Sequence, residues 1–218
     1  METIELYTYC KSSAAYRVRI ALNYKEIPYH PHYVSLLKNG GENYNPDYTD
    51  INPQAMVPTL KVATEIITQS MAILEYLEDT FSDPPLLPQS LLAKAAARSY
   101  AQMVVCDIHP LNNLRVLKYL EGPLQQDQND RFSWYQHWIY EGFDAMERRL
   151  ANNPLTKEYC VGSLPSVADV CLIPQVYNAL RYDCEMARFP IIKRIYDHCL
   201  TLDAFKKAAP ENQDDYIA

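Results

Sequence analysis

Four short stretches of this 218-residue chain carry residue types that can do chemistry. The first is Ser12-Ser13, between a strand-like run and a helix-like run. The open N–H groups and partial positive charge of a helix start stabilise an anion or a thiolate, and a serine hydroxyl adds a hydrogen bond. The second is Met56-Val57-Pro58-Thr59. A proline that opens a strand is an edge or turn device. With a cis Val57–Pro58 bond it would turn the Val57 N–H and C=O outward, able to pair with an extended peptide. The third is Gln69-Ser70 at another helix start, suited to a carboxylate. The fourth is Cys106-Asp107-Ile108-His109-Pro110-Leu111-Asn112-Asn113-Leu114-Arg115, where a proline kinks a helical pattern and frees a carbonyl. His109 and Asn113 are four apart and share a face of that pattern, whereas Arg115 points away and reads as a surface charge. Both serine motifs also read as plain helix caps, and the fourth stretch as a solvated face.

The elements that must position these residues follow from periodicity. Residues 3–9 alternate with period two and are rich in β-formers; 14–25 read as a helix and 29–34 as a second strand. A polar segment around Lys38-Asn39-Gly40-Gly41 leads to a short helix. Residues 57–62 and 65–68 read as a hairpin, and 70–77 as an amphipathic helix opened by a Ser cap. Pro84, Pro85 and Pro88 then stiffen a linker. Beyond it strand signals vanish. Helices are expected over 90–120, over 125–150, after the capping box Ser166-Val167-Ala168-Asp169, and over 191–208, with a frayed tail from Pro210. The expected layout is an α/β domain over 1–82, a linker over 83–89 and an all-helical domain over 90–218.

Composition narrows the function. A net charge of −7 argues against a general nucleic-acid binder, and no apolar run is long enough to span a membrane. The start Met1-Glu2-Thr3-Ile4-Glu5 lacks the charge pattern of a signal peptide. Five glycines leave no GxGxxG and no Walker loop. The six cysteines form no CxxC and read as free thiols of a cytoplasmic protein. His30-Pro31-His32 reads as a surface feature of a strand, and no metal site is expected.

Together these motifs resemble the zeta class of the glutathione transferase superfamily, the maleylacetoacetate isomerases. The run Ser12-Ser13-Ala14-Ala15-Tyr16-Arg17-Val18-Arg19-Ile20-Ala21-Leu22 is similar to the class signature. Asn52-Pro53, Val57-Pro58-Thr59-Leu60, Gln69-Ser70, Leu86-Leu87-Pro88, Pro110-Leu111-Asn112-Asn113 and the run from Val167 to Val176 match in register. The resemblance implies a thioredoxin-like N-terminal domain, an all-helical C-terminal domain, a homodimer and bound glutathione. It implies that Ser12 stabilises the glutathione thiolate, with Ser13 and Ala14 lining the same helix start. Val57, before Pro58, would pair with the cysteinyl backbone. Gln69 and Ser70 would hold the γ-glutamyl carboxylate, and Asn43 would lie near the glycyl end. His109 and Asn113 fall at ligand-touching positions, and Lys11, His109 and Arg181 at the substrate's side.

The chain departs from the pattern in having Ala14 where the signature has Cys, and Lys11 where Arg is common, which loses bidentate pairing. The implied reaction is glutathione-dependent isomerisation of maleylacetoacetate, a small dicarboxylate, to fumarylacetoacetate in tyrosine and phenylalanine breakdown. Two alternatives share every glutathione residue: isomerisation of maleylpyruvate, against which Leu114 stands in place of an expected Arg, and general conjugation of electrophiles. A thiol–disulfide enzyme built on Cys10 lacks a resolving CxxC. A non-catalytic binding module is opposed by the intact Ser12, Pro58, Gln69 and Ser70.

Overall fold

Alternating side chains at the start of the chain build β1 (Ile4–Thr8), with one face buried and the other half-exposed. The computed structural model describes residues 3–217; Met1-Glu2, part of the acidic start, and Ala218 lie outside them. The helix α1 (Ser13–Tyr24) follows, then β2 (His30–Tyr33), a short α2 (Pro46–Thr49), the hairpin β3 (Thr59–Val62) and β4 (Glu65–Thr68), and α3 (Ser70–Thr80). The sheet order is β2-β1-β3-β4, with β1 parallel to β2 and antiparallel to β3. This is the expected thioredoxin-like arrangement. In its register Leu6 sits opposite Leu60, and both are fully buried. Ala15, Val18, Ala21 and Leu22 give α1 a buried apolar face.

By their contacts, Met1–Leu86 and Thr201–Ala218 form one unit and Leu87–Leu200 another. The division thus falls within the proline-rich segment. Residues 201–217, however, sit with the first unit instead of the helical one. The tail expected to fray is folded there: α9 (Asp203–Ala208) packs on α1, a 3₁₀ turn covers Pro210–Asn212, and the segment beyond bonds to the end of β1. A polar tail reads as solvated because its composition carries no apolar period, whereas its anchors are single hydrogen bonds to groups distant in sequence: the Cys10 N–H, the Lys11 ammonium and the Tyr33 hydroxyl.

At the end of α3 the buried Lys25 ammonium gathers Glu78 Oε2 at 2.7 Å and the carbonyls of Phe81 and Pro84 at 2.6 and 2.8 Å. One cation therefore ties α1 to the proline segment and compensates its own burial.

The second unit is helical: α4 (Leu91–Gln102), α5 (Leu114–Glu121), α6 (Gln128–Asn152), α7 (Val167–Arg181) and α8 (Pro190–Cys199). The helix expected over 90–120 is broken. After α4 the backbone widens into a π-type turn over Met103–Ile108, in which the His109 N–H donates to the Val104 carbonyl. Pro110 has no N–H with which to continue. The break is pinned to α6 by Asn112 Nδ2 on the Tyr135 carbonyl at 3.0 Å and Trp134 Nε1 on the Leu111 carbonyl at 2.8 Å. Asn113 then caps a new helix, accepting from the Arg115 N–H at 3.0 Å. His109 and Asn113 therefore belong to different elements and not to one helical face. The expected capping box is present in α7, with Asp169 as its third-position partner.

Candidate functional site

The first unit brings three of the four motifs together at one side of its sheet, where β1 ends and β3 begins. Ser12 caps α1 and accepts from the Ala15 N–H at a long 3.3 Å. Its own N–H donates to the Tyr9 carbonyl at 3.0 Å, closing a turn. Ser13 is buried, and the Ala14 N–H meets no acceptor among the described residues. The helix start thus offers a hydroxyl proton and an open amide to a negative atom.

The Val57–Pro58 peptide is cis. The loop before it is braced from inside. Tyr48 Oη donates to the Met56 carbonyl at 2.6 Å, and Asn52 Nδ2 donates to the same carbonyl at 2.8 Å. Both also reach Thr59 Oγ1. Asn43 is buried, and its Nδ2 donates to the Ala55 carbonyl at 2.8 Å, so its amide braces this loop. With Met56 held in this way, neither the N–H nor the C=O of Val57 has a hydrogen-bond partner among the described residues. That is the edge an extended peptide needs.

At the third motif Ser70 is not the cap of α3 but its first residue; Gln69 precedes it with φ at 69°. The Ser70 hydroxyl cannot turn back to the helix because Arg17 Nη1 donates to it at 3.2 Å. Arg17 is 1% exposed, which places a positive charge beneath the start of α3. Gln69 Nε2 donates to Gln54 Oε1 at 2.8 Å, which orients the exposed amide. A carboxylate at this point would meet a helix start backed by a guanidinium. The three devices together fit a short extended peptide with a free carboxylate at one end and a thiol near its middle.

Lys11, assigned by resemblance to the substrate's carboxylates, has its ammonium 2.7 Å from the Ile217 carbonyl and 5.0 Å above the Tyr216 ring. In the second unit His109 is half-buried at the break, and the Asn113 carbonyl oxygen is spent on its cap. Arg181 ends α7 and is exposed, with Nη1 3.2 Å from Asn178 Oδ1. Sequence reasoning gave no separate role to Arg17, Arg19 or Gln54. The available signal was two arginines inside an otherwise apolar helix.

Cys10 is 1% exposed, and burial with the neighbouring Asp215 pushes its thiol up to about 11. Burial also raises Cys184 to about 11 and lifts Cys160 and Cys199. Cys106 alone of the six cysteines is exposed. A thiol of pKa 11 is only about 0.1% thiolate at pH 8, against roughly a quarter for an ordinary thiol. In the folded protein at pH 8 a chromogenic disulfide reagent is therefore expected to count one fast thiol per chain, and six after unfolding. A second fast thiol assigned to Cys10 by mass spectrometry would reverse this and revive the disulfide reading.

Residues 11–80 match the family model described as glutathione S-transferase, N-terminal domain. A Vibrio cholerae protein named probable maleylacetoacetate isomerase is 43% identical over 215 residues, 99% of each chain. A solved holo structure of maleyl pyruvate isomerase, described as a bacterial zeta-class glutathione S-transferase, superposes with a TM-score of 0.95 at 38% identity, covering 98% of this chain and 100% of that one. The chain belongs to the zeta-class glutathione transferases. A maleylacetoacetate isomerase of Methylobacterium extorquens AM1 with bound malonate and GSH matches this zeta-class chain with a TM-score of 0.94 at 38% identity, covering 98% and 100% of the two chains. Among the described residues no helix is long and apolar enough to cross a membrane.

Proposed function

We propose that this zeta-class protein uses glutathione to isomerise maleylacetoacetate to fumarylacetoacetate, acting as a cytoplasmic homodimer. The observation that carries the reading is the Ser12 hydroxyl at the start of α1, four residues beyond β1 and at the same end of the sheet as the unpaired Val57 edge. When bound, glutathione supplies a thiolate whose reversible addition turns the conjugated cis double bond into a single bond that can rotate. The chain's part is to lower the thiol's pKa, to hold the peptide and to grip the dicarboxylate. The α1 start and Ser12 do the first, with Ser13 and Ala14 in the same turn. Val57 and Pro58, together with Gln69 and Ser70, do the second, and Asn43 supports the loop that leads into Val57. Lys11, His109 and Arg181 are assigned to the substrate's side, and Asn113, with His109, to glutathione. No side chain is required to transfer the reacting proton.

The test is an ultraviolet assay of the purified protein with maleylacetoacetate, with and without glutathione, beside maleylpyruvate. Glutathione-dependent turnover of maleylacetoacetate well above that of maleylpyruvate supports the reading. The reverse preference assigns the second substrate, a reading favoured by the 0.95 TM-score to a maleylpyruvate isomerase. Turnover of neither substrate, with glutathione bound, leaves a general transferase. Replacing Arg181 by alanine is expected to raise KM for the dicarboxylate by about tenfold with kcat within about twofold, as loss of one charged contact does. An unchanged KM in steady-state kinetics would move the carboxylate grip elsewhere.

A further inference from the structure

The turn that carries Ser12 is held from two directions. From inside, Arg19 is 0% exposed and spends its guanidinium on three backbone carbonyls and one hydroxyl. Its Nη1 donates to the Tyr9 carbonyl at 3.2 Å and to Thr8 Oγ1 at 3.0 Å, its Nη2 donates to the Cys10 carbonyl at 2.9 Å, and its Nε donates to the Ala208 carbonyl at 3.0 Å. From the other side comes the C-terminal segment. Asp215 Oδ2 accepts from the Cys10 N–H at 2.9 Å, and the Asp215 carbonyl lies 3.5 Å from Cys10 Sγ. The segment is itself anchored by Ile217 on Lys11 at 2.7 Å and by Asp214 on the Tyr33 hydroxyl at 3.1 Å.

These bonds converge on a single peptide group. The Tyr9 carbonyl and the Cys10 N–H are its two ends. The carbonyl accepts from Arg19 and from the Ser12 N–H, while the amide donates to Asp215. Rotation of that peptide plane would break the Ser12 turn. The other carboxylate oxygen, Asp215 Oδ1, is enclosed with no hydrogen-bond partner among the described residues. An enclosed acceptor left without a partner is costly, and its retention asks for a role.

We propose that Asp215 is a positioning residue for Ser12: by holding the Cys10 amide against Arg19's grip on the adjoining carbonyls, it fixes the peptide plane that aims the Ser12 hydroxyl. The inference rests on the glutathione reading above. It makes the C-terminal segment part of the machinery that activates the thiol, although the segment need not touch the ligand.

Asp215→Ala and Asp215→Asn separate the two consequences of losing the carboxylate. The asparagine keeps an acceptor for the Cys10 amide; the alanine does not. Bound glutathione is followed by its thiolate absorbance as a function of pH, beside kcat, the KM for glutathione and the melting temperature. In Asp215→Ala the midpoint of thiolate formation is expected to rise, kcat to fall about tenfold and the KM for glutathione to stay within about twofold, as misplacement of a positioned group does. In Asp215→Asn the midpoint and kcat are expected to return close to the wild-type values. A folded Asp215→Ala with wild-type midpoint and kcat overturns the inference, and so does an Asp215→Asn as impaired as the alanine. If Asp215→Ala does not fold, the asparagine midpoint decides, because a large rise there overturns it as well. A wild-type protein that shows no thiolate band defeats the glutathione reading itself, and the inference with it.

Discussion

Ser12→Ala is expected to lower glutathione-dependent turnover by about 10- to 100-fold while glutathione affinity stays within about threefold. A hydrogen bond to a charged group contributes roughly 1.5–3 kcal/mol, which sets that range. The Ser12 hydroxyl is well placed for it. Its oxygen accepts only a long bond from the Ala15 N–H at 3.3 Å, and its proton remains to be given to an anion at the helix start. Affinity survives because the Val57 edge and the start of α3 are untouched by the change. The variant also loses a helix cap worth about 1 kcal/mol, so the melting temperature is measured beside kcat. The pH profile identifies the cause, since weaker thiolate stabilisation moves its acid limb upward. Wild-type turnover in Ser12→Ala would remove the serine from the mechanism.

The largest expected effect on stability is at Asp169. Its carboxylate is fully buried and accepts from the Cys160 N–H, the Ser166 N–H and the Ser166 hydroxyl, each at 2.8 Å. Burial opposes its charge and raises its pKa, while those same donors pull it down. Asp169→Ala strands three buried donors and leaves the start of α7 open. At about 1–3 kcal/mol for each unsatisfied group, partly relieved by relaxation, the loss is on the order of 3–5 kcal/mol. For a chain of this size that lowers the melting temperature by roughly 10 °C, which calorimetry reads directly. A shift under about 3 °C would show that the 158–166 loop finds other acceptors.

The parts of the fold that could be read from the sequence are those in which one periodic pattern dictates one element. β1, α1 and the hairpin fall where alternation and helical spacing place them, within a residue or two. The helix expected over 90–120 is interrupted because Ala97, Ala101, Val104 and Ile108 keep a helical spacing into the break and Leu114, Leu117 and Leu120 resume one beyond it, and neither spacing reports the cap at Asn113. The Ser12 and Val57 motifs are visible because their chemistry is local to a turn. The Ser70 hydroxyl was misassigned as a cap because its donor, Arg17, comes from another helix. Arg17 and Arg19 have no reading of their own beyond the signature run, and only the structure around them reveals their burial. Asp215 was out of reach for a simpler reason: its partner is a backbone amide 205 residues away, and no side-chain pattern marks such a bond.

The return of residues 201–217 to the first unit also fixes an order of events during synthesis. Arg19 is made early, but one of its acceptors, the Ala208 carbonyl, is made 189 residues later. Until those residues leave the ribosome, α1 lacks the helix that packs on it and the Ser12 turn lacks its outer anchor. The first unit therefore completes after the second, although it begins the chain, and a fragment ending at Leu86 would expose the face of α1 that α9 covers. The turn at Ser12 therefore gains its full set of anchors only after residues 208–217 have been made.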